Sequence, residues 1–180
     1  MSVTTDSVMV QIILLVEENP DLDGDGIPDA ADGCVESSIS FTSSPSNDMD
    51  GDGCHDLGED EDDDADGRPD SQDRCGRGLI GWDSTDNTSD HDGDGCQDAS
   101  EDDDDDADTI LDIYDNCPLG PLGWQSTGAS DYDRDGCRDA TDDLDDDNDG
   151  TLDEIDNCPN GVIGWTQTPE NDFDGDGCRD

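Results

Sequence analysis

The stretch "DDDNDGTLDEIDNCP" runs from Asp145 to Pro159 and carries seven acidic side chains in fifteen residues. Like charges at this density repel, and neither a helix face nor a strand pair gives them partners. Their order is nevertheless regular. Counted from Asp145, acids stand at positions 1, 3, 5, 9 and 12, glycine at position 6 and cysteine at position 14.

The same count recurs along the chain. Twelve-residue loops begin at Asp21, Asp48, Asp62, Asp90, Asp104, Asp131, Asp145 and Asp172, with alternating steps of 27 or 28 and of 14 residues. The loops are of two kinds. Those starting at Asp21, Asp62, Asp104 and Asp145 are followed by Cys34, Cys75, Cys117 and Cys158 at position 14. Those starting at Asp48, Asp90, Asp131 and Asp172 carry Cys54, Cys96, Cys137 and Cys178 inside, at position 7. One loop of each kind makes a unit of 41 or 42 residues, a period that argues for an array of repeats rather than a globule. The reading divides the chain into an apolar N-terminal segment (1–20), three repeats at 21–61, 62–103 and 104–144, and an incomplete fourth at 145–180.

Composition sets the terms for such an array. Asp and Glu number 55 against 6 Lys and Arg, giving a formal charge of -49, and only 28% of the 180 residues are hydrophobic. An apolar core on that scale does not offset about 1–2 kcal/mol of backbone ordering per residue. Charge alone would place the chain among disordered polyanions; the periodic acids and the even cysteine count place it elsewhere. A nucleic-acid partner is excluded, since phosphate contact needs a basic face. Eight cysteines without a CxxC pair predict disulfides and an oxidising, extracellular setting. The run "VMVQIILLV" (Val8–Val16) is too short to span a bilayer and lacks the flanks of a signal peptide. Being rich in β-branched residues, it predicts a strand of a preceding domain or one shared between subunits. Elsewhere the turn-forming composition predicts irregular chain with little regular secondary structure.

The loop pattern has a chemical meaning. Calcium takes six to eight oxygens at about 2.3–2.6 Å. Alternate residues at positions 1, 3 and 5 can turn carboxylates toward one centre, glycine at position 6 permits a sharp bend, the carbonyl at position 7 faces inward, and acids at 9 and 12 complete the set. The ligands expected in the first-kind loops are Asp21, Asp23, Asp25, Ile27, Asp29 and Asp32; Asp62, Asp64, Asp66, Arg68, Asp70 and Asp73; Asp104, Asp106, Asp108, Ile110, Asp112 and Asp115; and Asp145, Asp147, Asp149, Thr151, Asp153 and Asp156. In the second kind they are Asp48, Asp50, Asp52, Cys54, Asp56 and Glu59; Asp90, Asp92, Asp94, Cys96, Asp98 and Glu101; Asp131, Asp133, Asp135, Cys137, Asp139 and Asp142; and Asp172, Asp174, Asp176, Cys178 and Asp180. Residues at position 7 enter through their backbone carbonyls. The ligand order is that of an EF-hand loop without its flanking helices. Magnesium retains several waters and suits this set less well. His55 and His91 lack the surroundings of a zinc site.

"DDDNDGTLDEIDNCP" and "DDDADTILDIYDNCP" (Asp104–Pro118) resemble the thrombospondin type 3 repeat, D-x-D-x-D-G-x-x-D-x-x-D-N-C-P, and the resemblance extends from Asp21 to Asp180. It implies a coil wrapped around a row of calcium ions, with disulfides linking successive turns. It also implies two ions per motif, with Asp103, Asp143 and Asp146 as shared ligands. Thr109 departs from the pattern where glycine is expected, and Asn-Cys-Pro is intact only at 116–118 and 157–159. The linkers depart as well: "LIGW", "PLGW" and "VIGW" place Trp82, Trp124 and Trp165 seven residues after a cysteine, with Phe41 in the first unit, and read as small satellite cores.

Two tandem cysteine pairings compete. One closes each linker (Cys34–Cys54, Cys75–Cys96, Cys117–Cys137, Cys158–Cys178); the other joins Cys54–Cys75, Cys96–Cys117 and Cys137–Cys158. The first, which uses all eight cysteines, is preferred because it closes each Trp linker as a separate stapled loop. Asn87-Thr88-Ser89 is an N-glycosylation sequon. No nucleophile–base constellation is visible, so the expected function is non-enzymatic: a calcium-stiffened extracellular rod, stalk or filament that self-associates or joins neighbouring domains, without membrane insertion. A calcium reservoir and a recognition module built on the Trp linkers are the rival readings. The chain stops at position 9 of its last loop, so a continuation with an acid three residues on is expected.

Overall fold

The computed structural model describes residues 20–180, and the strand expected at Val8–Val16 lies outside the described residues. Among the described residues there is no helix and no strand, only turns, bends and coil. The chain divides between Asp60 and Glu61 into two compact units. The first holds loops 21–32 and 48–59, and the second holds the other six.

Each loop is wired by its own aspartates. The position 1 carboxylate accepts the N–H of position 6, as in Gly26 to Asp21 (3.3 Å), Gly95 to Asp90 (3.1 Å) and Gly150 to Asp145 (2.9 Å). The position 5 carboxylate accepts the N–H of position 7, from Ile27 to Asp25 (2.7 Å) through Cys178 to Asp176 (3.0 Å). Position 9 reaches back seven residues to the N–H of position 2, as in Leu22 to Asp29 (2.8 Å), Asp105 to Asp112 (3.0 Å) and Tyr132 to Asp139 (2.9 Å). Backbone donors that a helix would pair with carbonyls are here paired with side chains, which is how coil remains ordered.

The linkers are tied down at fixed offsets. The position 5 carbonyl of each first-kind loop accepts an N–H eighteen residues on: Ser43 to Asp25, Ser84 to Asp66, Ser126 to Asp108 and Gln167 to Asp149, at 2.8–2.9 Å. The position 3 carboxylate takes the N–H of the residue three past the cysteine: Ser37 to Asp23, Gly78 to Asp64, Gly120 to Asp106 and Gly161 to Asp147. Disulfides close the same linkers, Cys34–Cys54, Cys75–Cys96, Cys117–Cys137 and Cys158–Cys178. Each closes a loop of about twenty residues and constrains the unfolded chain by about 3 kcal/mol.

The interior is inverted relative to an ordinary domain. Among the described residues, ten aspartates, including Asp25, Asp66, Asp108 and Asp149, are the largest fully buried side chains, while the buried hydrophobic residues are Cys54, Cys96, Cys137 and Trp124. Leu111, Ile113, Leu152 and Ile155 face solvent. Two linker aromatics, Phe41 and Trp124, pack on position 8 of the loop across the disulfide. Phe41 meets His55 edge-on at 4.9 Å, and the Arg138 guanidinium lies 5.9 Å from the Trp124 ring.

Candidate metal centres

The wiring leaves particular oxygens over. In all four first-kind loops the position 5 aspartate spends Oδ1 on an N–H and keeps Oδ2 buried without a partner: Asp25, Asp66, Asp108 and Asp149. The position 12 aspartate does the same. Asp32, Asp73, Asp115 and Asp156 take the cysteine N–H two residues on at 2.6–2.7 Å, or 2.5 Å for Asp115, and each leaves Oδ2 buried and unpaired. A buried carboxylate oxygen without a donor costs more than one left in water. The same two orphans recur in all four loops, and within each loop the position 12 carboxylate lies in the field of the position 5 one. Positions 1, 3 and 5 converge: ligand oxygens of Asp21, Asp23 and Asp25 lie within 4.8 Å of one another, as do those of Asp48, Asp50 and Asp52, of Asp62, Asp64 and Asp66, and of Asp90, Asp92 and Asp94. Converging hard oxygens with unsatisfied lone pairs fit a divalent cation such as calcium and offer nothing to a soft one.

The electrostatics agree. Burial, aided by neighbouring carboxylates, pushes Asp108 and Asp115 up to about 6 from the usual 3.8. Asp73 is likewise raised to about 6, with Asp66 and Asp64 beside it. In the second-kind loops Asp50, Asp92 and Asp133 rise to about 6 for the same first cause. Sites that strain their own ionised form in this way lack a countercharge.

The two kinds of loop bury different ligands. First-kind loops bury position 5, and three of them position 3 as well, at Asp64 with Asp66, Asp106 with Asp108 and Asp147 with Asp149; second-kind loops bury position 1, at Asp48, Asp90, Asp131 and Asp172. Position 12 of the first-kind loops faces its own triad, since Asp115 lies in the field of Asp108, Asp106 and Asp112, and Asp156 in that of Asp149, Asp145 and Asp153. In the second-kind loops the acid beside the triad is position 13. Asp60 neighbours Asp50, Asp102 neighbours Asp92, and Asp143 neighbours Asp133. Of these the sequence reading named only Asp143. Its signal was a second acid directly after position 12 in every complete second-kind loop.

A further carboxylate group joins the end of one second-kind loop to the start of the next first-kind loop. Burial raises Asp105, with Asp112, Asp98 and Asp102 adding to the effect, and burial raises Asp146 beside Asp153 and Asp139. Asp103, expected to share an ion, is exposed and offers its carbonyl to the Asp112 N–H at 2.9 Å. Asn87 is exposed in a turn. His91 and Tyr132, both at position 2, reach the next linker instead, at Gly120 O (3.0 Å) and Gly161 O (2.9 Å).

Repeated loops, linker disulfides and buried acids define a stapled array whose acidic groups could hold a metal ion. The family model of the thrombospondin type 3 repeat matches residues 19–40 and 85–122. The repeats are a structural calcium-binding module of extracellular proteins, and the four disulfides fit a secreted chain. No curated protein matches this chain. Among the described residues, no helix is long and apolar enough to cross a membrane.

Proposed function

We propose that this chain is a calcium-stiffened spacer of a cell-surface stalk or filament, joined to neighbouring domains or to further copies. The observation that carries the reading is the pair of buried, unpartnered oxygens at positions 5 and 12 of every first-kind loop. Calcium replaces the apolar core: its binding energy supplies the ordering energy that so few hydrophobic side chains cannot. The ligands are the acids at positions 1, 3, 5 and 12 of the first-kind loops, the triads of the second kind, and the carbonyls at position 7. One ion per loop lowers the formal charge from -49 to about -33 and two lower it to about -17, so the fuller loading favours compaction. Extracellular calcium modules work at about 10⁻⁴–10⁻³ M, which makes the spacer rigid outside a cell and slack within one.

Calcium titration of the oxidised chain by calorimetry, with scattering recorded alongside, tests this. We expect more than one ion per unit and a narrowing of the scattering-derived size distribution on loading. Binding without any change of form would favour the reservoir reading instead.

A further inference from the structure

The acids at position 12 of the second-kind loops reach the linker across the disulfide. Asp142 spends Oδ1 on the Arg138 N–H (3.1 Å) and the Thr141 hydroxyl (2.7 Å), and its Oδ2 is buried without a partner. That oxygen lies over Gly120 in the linker. A Cβ placed on Gly120 would be 3.2 Å from Asp142 Oδ2 and 2.6 Å from Asp106 Oδ2, so the two carboxylates approach one point from two loops. Asp106 belongs to loop 104–115, whose Asp108 is fully buried and also carries an unpartnered Oδ2.

The arrangement repeats. A Cβ on Gly78 would be 2.6 Å from Glu101 Oε1, while the Gly78 N–H donates to Asp64 Oδ2 at 2.7 Å and Glu101 Oε2 stays buried and unpaired. In the first unit Ser37 stands at this point, its N–H on Asp23 Oδ2 and its hydroxyl on Glu59 Oε2. In three units, then, the residue three past the cysteine sits between position 3 of the first loop and position 12 of the second. Glycine at two of these points leaves the gap open. The vacated place in the second loop is taken by the next residue, since Asp143 stands beside Asp133, Asp102 beside Asp92 and Asp60 beside Asp50.

We propose that closing acids are exchanged across the disulfide. Asp142 completes the ion shell of loop 104–115, Asp143 closes loop 131–142, and the pairs Glu101/Asp102 and Glu59/Asp60 act alike in their own units. The proposal rests on the calcium reading above and adds to it that the binding element is the disulfide-closed unit rather than the single loop. The Cys117–Cys137 bridge then holds a ligand in place as well as shortening the unfolded chain.

The test is a calcium titration of the ¹⁵N-labelled, oxidised chain, following the amides of Ile110 and Cys137 in the wild type, Asp142→Asn and Asp143→Asn. Asparagine keeps the local hydrogen bonds and removes the charge. Asp142→Asn is expected to raise the calcium midpoint at Ile110 by about tenfold, the loss of one charged ligand from a shell, and to move that at Cys137 by less than about twofold. Asp143→Asn is expected to do the reverse. A rise confined to Cys137 in Asp142→Asn overturns the exchange. Should Asp142→Asn disorder the whole unit, Asp143→Asn decides alone: a rise confined to Cys137 supports the exchange and a rise at Ile110 overturns it. A wild-type chain in which calcium moves neither amide removes the calcium reading itself.

Discussion

Thr109 holds in loop 104–115 the backbone conformation that Gly150 holds in loop 145–156, with φ of +88° against +98°. A β-branched residue reaches this region only under strain, because its Cβ crowds the adjoining carbonyl at a cost of about 1–2 kcal/mol. Its N–H still serves Asp104 Oδ2 at 3.2 Å, so the loop retains its wiring at that cost. Thr109→Gly should therefore tighten calcium at this loop by about fivefold, a gain of about 1 kcal/mol. The Ile110 amide midpoint checks it; an unchanged or weaker midpoint would mean that calcium binding does not draw on this bend.

Gly136 carries two constraints. Its φ is +89°, and a Cβ there would overlap the Asp115 carboxylate of the preceding first-kind loop. Gly123 has a φ of +78° but open space around it. Gly136→Ala should thus destabilise the loaded unit by clearly more than Gly123→Ala, whose cost is the backbone term of about 1 kcal/mol. Thermal unfolding in saturating calcium compares the two. Equal losses would show that Asp115 can withdraw from the contact without penalty.

How far the sequence could be read depended on what each residue reports. Positions 1, 3, 5, 6, 9 and 12 were legible because eight copies made the spacing visible, and the coil followed from turn-rich loops without apolar periodicity. The pairing Cys34–Cys54 and its equivalents was one of two open schemes, since spacing alone does not say which neighbours meet. Position 4 was missed. It takes a left-handed backbone not only at Gly24 and Gly51 but at Ala65, Ala107, Arg134 and Asn148, and residues so unlike one another leave no pattern. The shift from position 12 to position 13 in the second-kind loops was equally hidden, because both places are acidic. Which acid faces which loop is set by the linker and the disulfide, contacts about twenty residues apart.

The raised carboxylates predict opposite pH responses with and without calcium. Asp50, Asp73, Asp92, Asp108, Asp115 and Asp133 sit at about 6 in the fold against 3.8 unfolded. Between these values the calcium-free fold binds more protons than the unfolded chain. Their contribution is therefore greatest below about 4 and is lost as pH rises through about 6. Near-UV circular dichroism in metal-stripped buffer should show more order at pH 4.5 than at pH 7.5. With calcium present the order reverses, because the same oxygens must shed protons to bind the ion. A calcium-free chain better ordered at pH 7.5 would contradict the burial of these groups.

The Trp linkers separate packing from recognition. Trp124 is only 9% exposed, and the Arg138 guanidinium lies over its ring, so little of the indole is open to a ligand. Trp82 and Trp165 are half-buried, and all three indole N–H groups are buried without an acceptor. Trp124 holds its linker against the loop across its disulfide, and none of the three indoles touches a ligand carboxylate by hydrogen bond. Trp124→Ala should lower the stability of the calcium-loaded unit by about 3 kcal/mol, near the low end for a buried tryptophan, because solvent reaches the linker from one side. The stoichiometry of calcium should not change, since no ion-facing oxygen is removed. Thermal melts and calorimetry on the same sample read both quantities. A variant that melts like the wild type yet loses capture of a glycan or protein would reverse the assignment and make the linkers a recognition surface.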